Sequence, residues 1–349
     1  MAPDMNLPDD GYRTPLHIAV RGRHREIAKM LLDAGAKTDL QAHRENWTAL
    51  HCAASNGDTE MVKMLLDAGA NVDLQKTDGW TALHFAVSNG HAEVIKMLLD
   101  SGTKADRPTM DGLTALHFAA KNGNTEIIKM LLDAGANIDM QKADGSTALH
   151  TAVKDGNAEI VKMLLGAGAN IDMQKADGST ALHSAVKDGN AEIIKILLGA
   201  SANVDVWSIL RFAVYNGHPE IVQLFLGASA NVAMSTFRWA VSNRHSKIVK
   251  TLLDSGAYVD MQGRNGSTAL HLAADYGYPE MIEILLDAGA NVDMQETDVC
   301  TALHYGSSYG RAEIVKMLLD AGANVNMQER YRWTALQWLC RDRQNVAGC

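Results

Sequence analysis

The stretch Lys142–Gln174, KADGSTALHTAVKDGNAEIVKMLLGAGANIDMQ, holds the pattern on which the whole chain is built. It contains an Asp-Gly turn, a short apolar segment, a second Asp-Gly break and a second apolar segment. The next copy follows at once, because Ala169–Gly199 differs from Ala136–Gly166 at only three positions. A fixed period of 33 residues predicts stacked repeats of one structural unit rather than separate globular domains.

Both apolar segments of this unit have helical periodicity. Leu149, Ala152 and Val153 give the first segment one apolar stripe, while residues 160–165 make the second apolar over most of its circumference. Helices this short cannot bury that surface alone, but a stack of identical pairs can. We therefore predict an all-α fold with two layers of helices. The segment around each Asp-Gly turn between units would project along one edge, and we call it a finger.

The opening motif of the unit, Thr-x-Leu-His, recurs along the chain. It begins at Thr14, Thr48, Thr81, Thr114, Thr147, Thr180, Thr268 and Thr301, with degenerate versions at Ser208, Ser235 and Thr334. These positions predict ten complete units and a final half-unit.

With these motifs the chain resembles the ankyrin-repeat family. The family pattern of Asp-Gly-x-Thr-Pro-Leu-His, then Gly-x-x-Glu, then Leu-Leu-x-x-Gly-Ala is met over roughly residues 10–343. The resemblance implies a solenoid of helix-turn-helix units with β-hairpin-like fingers on one edge. It also implies a non-catalytic scaffold that binds another protein in a concave groove, through finger residues and residues of the first helices.

The repeat pattern also predicts the domain organisation: a short lead at residues 1–9, one array at 10–343 and a tail at 344–349. The array is interrupted once, because two successive fingers are missing between about 201 and 235. The spacing of the opening motif drops there from 33 residues to 28 and then 27. Ser201 and Ser229 replace the glycine that ends a helix in other units, so we expect weak junctions and a hinge in this stretch.

Composition restricts the function classes. Hydrophobic residues make up 47% of the chain, charged residues 21%, and the formal net charge is −9. This charge argues against a general nucleic-acid binder. The four cysteines follow no disulfide or zinc spacing, and neither a secretory signal nor a membrane-spanning apolar run is visible. We expect a monomer in the cytoplasm, or in the nucleus, that contacts no membrane.

No catalytic constellation is visible in the sequence. It lacks a glycine-rich phosphate loop, a nucleophile elbow and a His-Glu-x-x-His motif. The histidine of each opening motif recurs once per unit, about 10 Å from the next, which is too far for shared metal ligation. The resemblance implies instead that it bridges neighbouring turns by hydrogen bonding. We expect no catalytic residue, cofactor or metal; an enzyme with an unrecognised site is the alternative.

The positions that vary between units are the candidate binding residues. The finger residue before each opening Thr is Trp47, Trp80 and Leu113 in units two to four, and the fold implied by the resemblance turns it to the groove. These three predict an exposed apolar ladder of the kind found in binding hot spots, joined by Trp207 if the shortened loop presents it. The alternative is that each side chain packs on its neighbour.

Further candidates lie on the first helices and at the first unit. Aromatic residues that close first helices, and so face the same groove, are Tyr215, Tyr276 and Tyr309. A basic cluster opens the array: it comprises Arg13, Arg21, Arg23, Arg25 and Lys29. The cluster either meets an acidic partner or forms a solvated N-terminal cap.

Two functional alternatives stay open at this point. The scaffold could act as an inhibitor or recruitment adaptor related to a transcription factor, a kinase or a ubiquitin ligase, or as a host-directed effector. Separately, Asn326 stands in a segment similar to those that ankyrin-directed asparaginyl hydroxylases accept, with Leu318 eight residues before it and Val325 directly before it. We therefore predict that Asn326 is a hydroxylation site.

Overall fold

The computed structural model describes residues 5–10, 12–42, 45–200, 206–226, 231–335 and 337, in which helices occur in consecutive pairs. The first helices of the ten pairs are α1 (Pro15–Arg21), α3 (Ala49–Asn56), α5 (Ala82–Ser88), α7 (Ala115–Asn122), α9 (Ala148–Lys154), α11 (Ala181–Lys187), α13 (Val206–Tyr215), α15 (Asn231–Ser242), α17 (Ala269–Tyr276) and α19 (Ala302–Ser308). The second helices are α2 (Arg25–Asp33), α4 (Thr59–Asp67), α6 (Ala92–Asp100), α8 (Thr125–Asp133), α10 (Ala158–Gly166), α12 (Ala191–Gly199), α14 (Pro219–Leu226), α16 (Ser246–Asp254), α18 (Pro279–Asp287) and α20 (Ala312–Asp320). Within these ranges the fold is all-α, as predicted, and no helix has the length and apolar character needed to cross a membrane.

In the regular repeats the opening Thr and His start the first helix together. In the second repeat, the Thr48 hydroxyl accepts the backbone N–H of His51 at 3.3 Å, and the His51 ring nitrogen Nδ1 accepts the backbone N–H of Thr48 at 3.0 Å. This reciprocal capping satisfies donors that have no partner inside the helix. The same arrangement opens helices α1, α5, α7, α9, α17 and α19.

The second helices bury one stripe, and those other than α12 and α14 are followed by a left-handed glycine. In α4, Met61, Val62 and Leu65 are fully buried, while the polar side chains of the same helix point to solvent. The Asp58 side chain accepts the Met61 backbone N–H at 3.2 Å and caps the start of the helix. Gly69 follows its end at φ +84°, a conformation that costs glycine little.

The helices assemble into two compact units, each of which contains several repeats; below, unit means one of these two parts and repeat means one copy of the 33-residue pattern. The described residues of the first unit fall within 1–185 and 192–203, and those of the second within 186–191 and 204–349. Inside each unit, first helices pack on neighbouring first helices and second helices on neighbouring second helices. The hinge predicted between 201 and 235 falls at this division, but residues 201–205 and 227–230 lie outside the described ranges, so the hinge stays a prediction.

Fingers of successive repeats are joined by backbone hydrogen bonds. Each finger closes as a tight turn, for example Lys142 N–H to the Ser146 carbonyl at 3.0 Å. Each also donates one N–H to a carbonyl of the preceding finger: Thr77 to Glu45 (3.1 Å), Met110 to Asp78 (2.9 Å), Ala143 to Asp111 (2.9 Å), Ala176 to Asp144 (2.9 Å), Thr297 to Asn265 (2.9 Å) and Arg330 to Asp298 (3.2 Å). The fingers are therefore ordered stacks rather than independent loops.

Where fingers are missing, the first helix is longer. Helix α13 begins at Val206 and has 10 residues, and α15 begins at Asn231 and has 12 residues. Regular first helices have 7 or 8 residues. Trp207 is consequently part of helix α13 rather than of a loop. Its side chain lies outside the described part of the structure, so its place among the binding residues stays a prediction. The physical reason for the longer helices is that no Asp-Gly turn precedes them, so nothing stops them from extending towards their N-termini. The predicted weakening by Ser201 and Ser229 concerns residues outside the described ranges.

The turn between α1 and α2 keeps a left-handed residue although its glycine comes one position early. Gly22 has φ −80°, and Arg23 takes the left-handed conformation at φ +57°. Arg244 does the same in the eighth repeat at φ +60°, and Val299 holds this conformation at the tip of a finger at φ +65°. A side chain with a Cβ is strained in this region, most of all a β-branched one.

Candidate functional site

The backbone of four finger residues is fixed by a histidine of the preceding repeat. The His17 ring Nε2 donates to the Trp47 carbonyl at 3.1 Å. Equivalent bonds run from His117 to Ser146 (3.1 Å), from His271 to Cys300 (3.1 Å) and from His304 to Trp333 (3.3 Å). This confirms the bridging role that the family resemblance implied for the histidines. The backbone at these four finger positions is thus held in a fixed conformation.

An aromatic row runs through the first unit. Trp47 packs on Phe85 with ring centroids 4.7 Å apart, Phe85 packs on Trp80 at 4.8 Å, and Trp80 packs on Phe118 at 4.7 Å. Trp47 and Trp80 are half-buried as a result, so the sequence prediction of an exposed ladder overstated their exposure. Leu113 is half-buried as well. Trp80 lies between two phenylalanines, so for this residue the alternative that each finger side chain packs on its neighbour describes the geometry.

A buried lysine ties the Trp47 finger to the next one. The Lys76 ammonium lies 4.6 Å from the centroid of the Trp47 ring and pairs with Glu45 (3.4 Å) and Asp78 (3.1 Å). The Trp47 indole N–H donates to Glu45 at 3.1 Å. Since Glu45 and Asp78 belong to successive fingers, Lys76 bridges them and restricts the motion of Trp47.

Sequence reasoning missed Phe85, Phe118 and Lys76. The signal for the two phenylalanines was available within the chain. Each follows the motif histidine in the repeat after a Trp finger, whereas Thr151 and Ser184 stand at that position after Leu113 and Ser146. In these repeats a tryptophan finger is therefore matched by a phenylalanine beneath it in the next repeat.

The aromatic row ends in an open cleft at Trp47. In the second repeat Cys52 replaces the phenylalanine of later repeats, and in the first repeat Arg13 stands where a Trp would reach it. The space left is about 640 Å³. This Trp47 cleft is lined by Asp10, Tyr12, Arg13, His17, Arg21, Ala42, Glu45, Trp47, Cys52, Ser55 and Asn56. Its volume is that of a pocket able to receive several side chains of a partner.

Most arginines of the basic cluster in the first repeat make ion pairs or hydrogen bonds within the protein. Arg13 pairs with Asp9 at 2.7 Å, and Arg25 pairs with Asp58 at 2.7 Å. Arg23 donates to the Asn56 carbonyl at 2.8 Å. The contacts of Arg23 and Arg25 tie the first repeat to the second, and all three contacts favour the cap interpretation over an acidic-partner patch. Arg21, which lines the Trp47 cleft, is exposed.

The tyrosine candidates lie in the second unit and are exposed. The exposed fractions are 66% for Tyr215, 47% for Tyr276 and 58% for Tyr309. Tyr215 stacks on Trp239 and Tyr276 on Tyr278, with ring centroids 6.1 and 5.6 Å apart. Trp207 belongs to helix α13, and its side chain lies outside the described part of the structure. The first-unit candidates and the tyrosines therefore belong to separate compact units.

The titratable groups of the site show the effect of burial. Burial lowers the pKa of His51 and of His84 to about 4, so both rings are neutral at physiological pH. Burial also raises the pKa of the Cys52 thiol and of the Cys300 thiol to about 11. Within the described ranges, no group of three or more His, Cys, Asp or Glu residues is placed to hold a metal ion.

Asn326 is exposed in the loop after helix α20. Its backbone N–H donates to the Asn324 side chain at 3.0 Å. Hydroxylation at this residue stays a prediction. A mass increase of one oxygen at Asn326 after treatment with an asparaginyl hydroxylase would support it.

Comparison with known families gives the class of protein that this geometry indicates. A family model described as ankyrin repeats (3 copies) matches residues 34–109, 69–142, 101–177, 149–236, 210–296, 237–329 and 276–347. A second model, described as ankyrin repeat, matches residues 12–43. The chain therefore belongs to the ankyrin-repeat family, whose repeats generally serve as protein–protein interaction modules. A comparison with curated proteins finds no match.

Proposed function

We propose that this protein is a non-catalytic scaffold that captures a protein partner in the Trp47 cleft of its first unit. The observation that carries the proposal is the end of the aromatic row. Trp47 packs on Phe85 and also lines an open space of about 640 Å³. A large aromatic surface at the wall of a concave site is the usual anchor of a binding interface.

Pre-organisation supports the same proposal. His17 holds the Trp47 backbone, Phe85 holds its ring, and Lys76 bridges its finger to the next. A partner would therefore meet a tryptophan whose conformational entropy is already reduced, so little of the contact energy is lost on binding. Trp80, with Phe on both sides, and Leu113 would support the anchor from behind and extend the surface along the fingers.

The chemistry of the cleft indicates what part of a partner fits. Tyr12 and Trp47 offer aromatic surface, while Arg21 and Asn56 offer donors at the rim. Asp10 and Glu45 stand beside the arginines, so the lining carries both signs of charge. A short segment with one apolar side chain and neighbouring polar groups suits such a cleft. One copy of this protein would bind the partner, in the cytoplasm or nucleus. Light scattering of the purified protein tests whether it is a monomer.

The test is a substitution that fills the Trp47 cleft and keeps the fold. Cys52→Phe introduces the residue that stands at the equivalent positions 85 and 118, where it packs on a finger Trp. We expect this variant to keep the melting temperature and to lose the proteins that the wild type captures from its native cell. The matched control is Cys52→Thr, the residue of the fifth repeat, which leaves the cleft open and should keep binding.

Two outcomes would refute the proposal. One is capture of the same proteins by Cys52→Phe and by the wild type with equal affinity. The other is retention of binding by a Trp47→Ala, Trp80→Ala double variant that remains folded. Either result would place the partner on another surface of the protein. The captured proteins would also decide between simple scaffolding and the inhibitor, adaptor or effector roles.

A further inference from the structure

A second cleft lies in the second unit, where the fingers are missing. Its volume is about 610 Å³. The lining residues are Lys187, Ser208, Arg211, Phe212, Tyr215, Asn216 and Trp239, all of which belong to the second unit. We call it the Arg211 cleft. It shares no lining residue with the Trp47 cleft.

The charge of the Arg211 cleft differs from that of the rest of the molecule. Its described lining contains two cations, Lys187 and Arg211, and no carboxylate. The Trp47 cleft mixes arginines with Asp10 and Glu45, and a third cleft near Tyr305 is lined by Glu296, Asp298 and Glu329 among others. In a chain with a formal charge of −9, a concave site whose described lining carries only positive charge favours a negatively charged ligand.

Arg211 is available to a ligand because of the missing finger. It stands at the position of the motif histidine, whose ring normally donates to the finger carbonyl of the next repeat. Arg238 replaces the histidine in the eighth repeat and makes that bond, to the Ser267 carbonyl. For Arg211 the equivalent position is residue 234, which is inside helix α15 rather than in a finger. The Arg211 guanidinium lies instead 5.3 Å from the centroid of the Trp239 ring.

Aromatic surface adjoins the two cations. Tyr215 is 66% exposed and stacks on Trp239 with ring centroids 6.1 Å apart and planes 29° from parallel. The third repeat has Ser88 at the position of Tyr215. A ring that stays exposed while its neighbour is held by Arg211 can accept an apolar or aromatic side chain of a ligand on its open side.

We propose that the Arg211 cleft binds an acidic peptide segment that carries an aromatic residue next to its carboxylates. A carboxylate of the segment would accept hydrogen bonds from Arg211 and be attracted by Lys187, and the aromatic ring would pack on Tyr215. The proposal is independent of the Trp47 cleft, since it concerns the second unit. A partner could occupy either cleft alone.

The test uses the full chain and a fluorescein-labelled synthetic peptide with one phenylalanine flanked on both sides by aspartate and glutamate. Its isostere, with asparagine and glutamine in place of the acids, is the ligand control. Fluorescence polarisation should show binding of the acidic peptide and at least about tenfold weaker binding of the isostere. Lys187→Gln, Arg211→Gln and Tyr215→Ser should each weaken binding of the acidic peptide by about tenfold.

The chain supplies the matched control. Lys154 occupies in the fifth repeat the same position as Lys187 in the sixth, so Lys154→Gln removes one exposed cation from the first unit and should leave binding unchanged. The proposal is overturned if the acidic peptide does not bind, if Lys154→Gln weakens it as much as Lys187→Gln, or if a single-stranded RNA oligonucleotide binds this cleft more tightly. Cys52→Phe should have no effect here, so failure of this proposal and failure of the Trp47 cleft are separately visible.

Discussion

The neutral histidines make the stability of the first unit depend on pH. In the second repeat the His51 ring Nδ1 accepts the Thr48 backbone N–H at 3.0 Å, and Nε2 donates to the Leu74 carbonyl at 3.0 Å. A backbone N–H can only donate, so a protonated ring would place its own N–H against another donor. Burial and this geometry both oppose protonation in the folded protein.

The magnitude follows from the pKa values. His51, His84 and His150 have a pKa of about 4 in the folded protein, with burial as the main cause, and about 6.5 when unfolded. Because the folded pKa is the lower one, protons bind first to the unfolded chain as the pH falls below about 6.5. Stability is therefore complete above that pH and is lost down to about pH 4. Between about pH 7.5 and pH 5, each ring reduces the free energy of unfolding by about 2 kcal/mol.

The chain itself provides the substitution that tests this. Gln337 stands at the histidine position of the last motif, and its Oε1 accepts the Thr334 backbone N–H at 2.8 Å, as Nδ1 does elsewhere. Glutamine does not titrate. A His51→Gln, His84→Gln, His150→Gln variant should therefore lose about 6 kcal/mol less than the wild type between about pH 7.5 and pH 5.

Urea denaturation followed by circular dichroism at a series of pH values measures the difference. Dilute protein is needed, because the sequence pI is about 5.8 and solubility is lowest there. Carboxylates titrate in both proteins, so only the difference between the curves reports the three rings. Parallel loss of stability in wild type and variant would show that the histidines are not the cause.

Two further predictions concern left-handed residues of the fingers. A Cβ on Gly145 would lie 2.8 Å from the Ala176 backbone nitrogen, whereas a Cβ on Gly178 would meet no atom of the described residues within 4 Å; both residues have φ near +78°. Gly145→Ala should therefore cost at least about 1 kcal/mol more than Gly178→Ala in urea denaturation, and equal costs would show that finger stacking contributes nothing. Val299→Gly relieves a β-branched residue at φ +65° and should raise the free energy of unfolding by about 1 kcal/mol; an unchanged or lower melting temperature would contradict the strain.

Much of the fold follows from the repeat pattern. The opening motif alone predicts each regular first helix, because Thr and His supply both halves of the cap, as at Thr48 and His51. The boundaries of α13 and α15 could not be predicted in this way. Ser208 and Ser235 look like helix starts by alignment, yet without a preceding turn the helices extend beyond them. A helix start depends on what stops the chain before it as well as on the cap.

The candidate site was less predictable than the fold. A position in the motif identifies Trp47 and Trp80 as finger residues, but their exposure depends on Phe85 and Phe118, which come from the following repeats. The Trp47 cleft arises from the small size of Cys52, a residue with no signal of its own. In the second unit, Arg211 stands at the histidine position of a degenerate motif. It can face a ligand because the next finger, whose carbonyl would accept its hydrogen bond, is absent. Contacts between repeats, rather than the sequence pattern within one repeat, determine which side chains are exposed.

The hydrogen bonds between fingers have a consequence for proteolysis. Fingers have the composition of exposed turns, and Lys142 and Lys175 place trypsin sites in two of them. The residues after these lysines, Ala143 and Ala176, donate to the preceding fingers at 2.9 Å. A protease must extend several residues in its active site, so cleavage requires one finger to detach from the next. Cutting at these lysines should therefore follow the free energy of local opening, and the finger stack protects turns that their sequence would leave open to attack.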